Sequence, residues 1–211
     1  MINLIAPINN LGYGVAGYNI FKSLYKINPS TTLYPISQPE FIDEYVAAGI
    51  NNSQSHIRQS RMAEFPSVKI WHQHDLHFHV GKNKHIGFPI FELTSFNEDE
   101  KHSMDHCDAL FVCSRWAKGV VLDQTNFSEK NIHVVPLGVD TETFKPSPST
   151  RSQTIFFNCG KWEKRKGHDV LLECFNTAFS QSDNVELWMM CDNPFIGQNN
   201  QEWANLYKNS P

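Results

Sequence analysis

The chain has 211 residues, enough for one large domain or two small ones. Hydrophobic residues make up 40% and charged residues 19%, the balance of an ordinary globular protein. The net charge of -4, with no basic block, argues against nucleic-acid binding through a phosphate-tracking surface.

The first seven residues carry no basic segment and no long apolar core, so no signal peptide is expected. The apolar runs, such as residues 109–113, are far too short to cross a bilayer. Five cysteines (Cys107, Cys113, Cys159, Cys174 and Cys191) are odd in number and show no C-x-x-C spacing. They read as reduced, buried small hydrophobes of a cytoplasmic protein.

In chain order, residues 2–8 are a predicted strand and 17–25 a helix with Ile20, Phe21, Leu24 and Tyr25 on one side. Residues 32–36 form a second strand, and 41–48 a helix that Gly49 stops. The polar stretch 51–64 is open to helix or loop. Strands follow at 68–71 and 85–91, then a helix at 97–105 capped by Asn97 or Ser95, with acids in its first turn. The near-continuous apolar run 109–113 suits a buried parallel strand, Ser114 caps a helix at 116–123, and 132–135 closes the set. This alternation predicts an α/β fold with a doubly wound parallel sheet.

Pro136, Pro146 and Pro148 flank a polar segment that reads as an interdomain linker or hinge over 136–152. It divides an N-terminal domain, residues 1–147, from a second unit, 153–211. There the alternation restarts, with strands at 154–159 and 185–191 and helices at 168–179 and 201–208. A two-stranded sheet is too small to bury its own core, so more chain or a covering partner is expected.

Four groups of residues carry candidate chemistry. Gly12-Tyr13-Gly14-Val15-Ala16-Gly17 follows a strand and opens a helix, where glycines let the backbone approach a phosphate at a helix N-terminus. The pattern also fits the dinucleotide fingerprint, but strand two ends without the acid that a ribose requires; Glu40 lies beyond Pro39. Among His72, His74, His77, His79 and His85, the first two share a face of an extended segment. No metal motif surrounds them, and His74 is taken as a substrate contact rather than a metal ligand. Glu92 ends an apolar run at the carboxyl edge of the sheet, where ligands bind in such folds and desolvation would suit a carboxylate to proton chemistry. Last, Gly160-Lys161-Trp162-Glu163-Lys164-Arg165-Lys166-Gly167-His168-Asp169 lies between a strand and a helix and sets four cations in six residues between two glycines. A diphosphate calls for this combination of arginine fork, lysine point charge and helix N-terminus.

Together these residues resemble the retaining GT-B glycosyltransferases of family four. The resemblance includes Gly12 and Gly14 after strand one, and Asp108-Ala109-Leu110-Phe111-Val112-Cys113-Ser114 with Trp116 behind it. It continues through Val135-Pro136-Leu137-Gly138-Val139-Asp140, with Phe144 and Pro146, to Arg165-Lys166-Gly167. It implies two Rossmann-like domains and transfer of a sugar from a nucleoside diphosphate to a glycan, lipid or small-molecule acceptor. Arg165 and Lys166 would hold the diphosphate with no metal or cofactor, Gly12 and Gly14 would close on the substrate, and Glu92 would stand near the sugar. The family's paired glutamates, seven residues apart, have no counterpart after Asn193, where Glu202 is alone. The second domain therefore reads as incomplete. A non-catalytic nucleotide- or glycan-binding module, or one completed by a second chain, remains an alternative, as does an NAD-linked oxidoreductase.

Overall fold

The computed structural model describes residues 1–59, 64–148 and 150–210. Two compact units divide the chain, Met1–Asp140 and Thr141–Pro211.

In the first unit six parallel strands form one sheet: β1 (Asn3–Ala6), β2 (Thr32–Pro35), β3 (Ser67–Trp71), β4 (His85–Pro89), β5 (Ala109–Val112) and β6 (Ile132–Val134). The order across the sheet is β2-β1-β3-β4-β5-β6. Its helices are α1 (Gly12–Ile27), α2 (Glu44–Arg58), α3 (Glu98–Asp105) and α4 (Arg115–Gln124). This is an α/β, Rossmann-like architecture.

Two apolar clusters lie on opposite faces of the sheet. Phe21 of α1 and Val46 of α2 pack with Leu4, Leu33, Val68, Ile70 and Phe88. Met104 of α3 and Val120 and Val121 of α4 pack with Leu110, Val112 and Ile132. The two-residue period of a strand separates them. Ile86 and Phe88 join the first cluster, while a Cβ on Gly87 between them would press on Leu76, Cys107 and Leu110 of the second.

Local capping chemistry places two helices as expected. Asn97 Oδ1 accepts from Glu100 N at 2.9 Å while Glu100 Oε2 accepts from Asn97 N at 2.8 Å, a reciprocal capping box. Ser114 Oγ accepts from Ala117 N at 3.1 Å and opens α4.

Three expectations are corrected. Gly49 does not stop a helix: α2 starts at Glu44, capped by Asp43, and runs through Gly49 to Arg58. A Cβ on Gly49 would stand 2.3 Å from Phe21 and 2.8 Å from Leu33, so the glycine serves close packing of α2 on the core. The open choice for 51–64 resolves as helix through Arg58, with residues 60–63 outside the described residues. Helix α1 starts at Gly12 rather than Gly17, so the glycine-rich motif is itself helical. Of the cysteines only Cys107 is buried; Cys159 and Cys174 are exposed, because the unit that carries them covers few of its own side chains.

The second unit contains β7 (Thr154–Gly160) and β8 (Val185–Cys191), paired in parallel, with α5 (His168–Ala178) and α6 (Asn199–Lys208). Among its described residues Trp162 is the buried apolar side chain, at 5% exposure. Its ring stacks on Trp203 at 5.9 Å and packs on Tyr207 at 5.4 Å, both from α6. The strands leave Phe157, Trp188 and Met190 exposed.

Candidate functional site

The first unit builds a site from its strand order. Strand β1 lies between β2 and β3: the chain runs outward from β1 to β2, then crosses back past β1 to β3 and continues in the other direction. Ligands of open α/β sheets bind at the carboxyl ends of strands at such a switch point. Here those ends are residues 7–11, which lead into α1, and the segment after Trp71, where residues 73–75 form one 3-10 turn.

Side chains from both segments meet. The Tyr13 ring packs on His72 at 4.5 Å and on Trp71 at 5.6 Å, and its hydroxyl donates to the Ile90 carbonyl. His72 and His74 do not sit on an extended segment, since the chain turns after His72, yet their rings stack at 5.3 Å. His74 is exposed and its Nε2 lies 3.3 Å from Asp75 Oδ2, which also accepts from Trp71 Nε1 at 3.3 Å. Burial raises the Tyr13 hydroxyl to about 12, with Cys113 and Glu92 adding to the shift. Burial likewise lowers the His72 imidazole, helped by His74, so His72 is neutral at pH 7.

The glycines of this turn differ in role. The direction of a Cβ on Gly14 is filled by Asn9, with backbone nitrogen at 2.5 Å and backbone oxygen at 2.3 Å. A Cβ on Gly12 would meet nothing within 4 Å, so there the helix N-terminus faces open space. Asn9 Oδ1 accepts from Leu11 N at 3.0 Å, and Glu40 Oε2 accepts from Asn10 N at 3.0 Å. Glu40 thus braces the turn, and β2 ends at Pro35 without a ribose-binding acid.

Glu92 is exposed, which corrects its expected desolvation. Strand β4 ends at Pro89, and the acid stands beyond it on an open segment rather than in the buried strand end. Of the histidines named above, His85 is structural. Its Nε2 is 2.6 Å from the Leu76 carbonyl and its Nδ1 is 3.0 Å from Ser67 Oγ, and burial pushes it down to about 4. His77 pairs with Ser103 Oγ at 3.0 Å. Among the described residues no three His, Cys, Asp or Glu side chains are grouped to hold a metal ion. None of the helices described is long and apolar enough to cross a membrane.

The second unit carries the cations. After β7, residues 164–166 form one 3-10 turn, closed by Lys166 N to the Glu163 carbonyl at 3.1 Å and Gly167 N to the Lys164 carbonyl at 2.8 Å. Gly167 reverses the chain in the left-handed region, at φ 75°, and α5 begins at the next residue. Lys164, Arg165 and Lys166 are exposed. Glu163 spans two cations, with Lys161 Nζ at 3.3 Å from Oε1 and Arg165 Nη2 at 3.2 Å from Oε2. The Lys161 ammonium also lies 5.1 Å from the centre of the Phe195 ring. Hydrogen bonding and charge from Lys161, followed by the charge of Arg165, hold the Glu163 carboxyl below its ordinary value.

Lys161 and Glu163 are therefore parts of this site beyond Arg165 and Lys166. Their two-residue spacing is the signal that foreshadows the pairing. Tyr13 carries no such local signal, since its partners lie far off in sequence. No protein-family model matches the chain, and no curated protein matches its sequence.

Proposed function

We propose that the chain is a glycosyltransferase of GT-B type, or the larger part of one, moving a sugar from a nucleoside diphosphate to an acceptor. The observation that carries this reading is the cation loop. Arg165 and Lys166 stand on a short turn reversed at Gly167, directly ahead of a helix, and Lys161 directly follows a parallel strand.

In the reaction the bond between the anomeric carbon and the β-phosphate oxygen breaks, the acceptor oxygen bonds to that carbon and its hydroxyl proton is released, and the departing diphosphate takes the electron pair as added negative charge. Arg165 offers paired N–H donors to two of its oxygens, and Lys161 and Lys166 add point charges. Cations aimed at developing charge are worth most in the transition state, so neither a metal nor a cofactor is required. Glu163 gives up Lys161 and Arg165 as the diphosphate arrives. In the first unit Gly12 and Gly14 open the helix N-terminus at the switch point, with His74 and Glu92 at the same sheet edge for sugar and acceptor hydroxyls. Glu92 is assigned as the catalytic carboxylate, and retention of configuration follows from the family resemblance.

Release of nucleoside diphosphate from UDP-, GDP- and ADP-hexoses by the full chain tests the reading. Replacing Arg165 and Lys166 together by alanine costs at least about 3 kcal/mol of transition-state stabilisation, more than a hundredfold in kcat/KM. Turnover unchanged by that double variant would sink the proposal.

A second reading, a binding module completed by another polypeptide, is favoured by the apolar face of β7 and β8, where Phe157 is 60% and Met190 67% exposed. It calls for nucleoside diphosphate binding without turnover, and for turnover once a copurifying chain is added. An NAD-linked activity rests on the glycine turn alone, and an NADH fluorescence titration with no response removes it.

A further inference from the structure

Beneath the cation loop lies a buried polar group that the proposed transfer chemistry does not use. His168, the first residue of α5, has no exposed surface. Glu163 N donates to its Nδ1 at 3.1 Å, and its Nε2 lies 3.1 Å from Asn158 Oδ1 on β7. Cys191 of β8 approaches the same pair, its Sγ 3.4 Å from Asn158 Oδ1 and 3.8 Å from Nε2. The Trp162 ring packs edge-on at 5.0 Å, and from α6 the Tyr207 hydroxyl donates to the His168 carbonyl at 2.6 Å.

This arrangement settles the tautomer. Nδ1 receives a backbone N–H and must present its lone pair, so the ring proton resides on Nε2 and is donated to Asn158. A second proton would turn Nδ1 into a donor facing a donor. The pinned backbone belongs to Glu163, whose carbonyl closes the turn from Lys166 and whose side chain spans Lys161 and Arg165.

Resting on the diphosphate reading of this loop, we propose that neutral His168 is the positioning residue of the cation site. It holds the Glu163 backbone so that Lys161, Arg165 and Lys166 converge on one diphosphate, and it releases that backbone when protonated. It touches no substrate and acts through the loop.

The charged and titratable groups around the ring oppose one another. Glu163 on the loop and Asp169 on α5 favour the imidazolium, Lys166 disfavours it, and Cys191 and Tyr207 complete the surroundings. Burial is the largest influence and lowers the imidazole below its ordinary value. The pin therefore holds at neutral pH and fails as the solution is acidified past that lowered value.

The test uses the full chain with inorganic pyrophosphate as probe, followed by calorimetry from pH 7.5 downward through the pH at which nitrogen NMR shows the His168 imidazole taking up its second proton. His168→Asn keeps an acceptor near the Nδ1 position, whereas His168→Phe keeps the volume and no acceptor. The expected tautomer at pH 7 carries its proton on Nε2. Loss of one such hydrogen bond weakens pyrophosphate binding by His168→Phe roughly five- to tenfold at pH 7.5, and His168→Asn restores most of it. Pyrophosphate itself titrates in this range, so the role of the ring is read as the difference in pH profile. Wild type loses several-fold more affinity on acidification than His168→Asn does. A proton on Nδ1 at pH 7, or identical profiles in all three proteins, overturns the positioning role while leaving the cation site standing. If wild type binds no pyrophosphate at any pH, the diphosphate reading falls, and the positioning role falls with it.

Discussion

The two units reach their folds by different means. In Met1–Asp140 six parallel strands are covered on both faces, and apolar side chains such as Phe21, Leu33, Ile70 and Met104 are fully buried. In Thr141–Pro211 two parallel strands stay open on the face that carries Phe157, Trp188 and Met190, and order gathers around Trp162, His168 and Asn193 at the foot of the cation loop. Asn193 Nδ2 donates to the Trp162 carbonyl at 3.0 Å, and Asn193 and Asn200 exchange a reciprocal pair of bonds at 2.8 Å. Bulk apolar burial scales with the number of layers, and two strands supply too little of it. The smaller unit instead spends its few buried positions on the backbone that carries its charges. The comparison teaches that apolar burial is concentrated in the first unit and a cluster of exposed cations in the second.

Truncation of a buried aromatic in each unit is the strongest way to break that comparison. Phe21→Ala is expected to cost about 3–5 kcal/mol of global stability in urea unfolding. Trp162→Ala should release the amides of β7 and β8 to rapid hydrogen exchange while those of β1 and β3 keep their protection. Equal loss in both sets would show one cooperative unit instead of two.

Acidification is expected to act on the first unit almost as strongly. His85 titrates at about 4 in the fold, against about 6.5 when unfolded. Its contribution is fully present above pH 6.5, where both states are neutral. It is lost as pH falls from 6.5 toward 4, because the unfolded chain binds the proton first, and the loss reaches about 3 kcal/mol at the lower end. Urea unfolding at several pH values, with His85→Gln as the reference, measures it; a flat profile for wild type would contradict the buried neutral imidazole.

A smaller effect tests the packing of α2. Gly49→Ala places a methyl group against Phe21 and Leu33, and overpacking of this kind costs about 1–3 kcal/mol. A variant more stable than wild type, the usual result of Gly→Ala in an exposed helix, would mean that the helix stands further from the core. The smallest expected effect sharpens the second unit. Glu163→Gln removes the carboxylate that competes for Lys161 and Arg165, and should tighten pyrophosphate binding about two- to fivefold at low salt.

What was legible in the sequence is what local chemistry decides. Short, near-continuous apolar runs mark the strands, a polar cap at Asn97 or Ser95 and a hydroxyl cap at Ser114 mark two helix starts, and the Lys161–Lys166 cluster marks the charged loop. Each depends on residues within a few positions of one another, so the chain carries the signal without its fold. Tertiary structure decided the rest. Gly49 continues a helix because Phe21 and Leu33, distant in sequence, occupy the space beside it. Tyr13 meets His72 and the carbonyl of Ile90 only because parallel strands bring their carboxyl ends to one edge. His168 looks like one more polar residue at a helix start until folding removes it from water and sets Nδ1 against the Glu163 N–H and Nε2 against Asn158 and Cys191. Pattern is local, whereas burial and non-local pairing exist only once the strands are side by side.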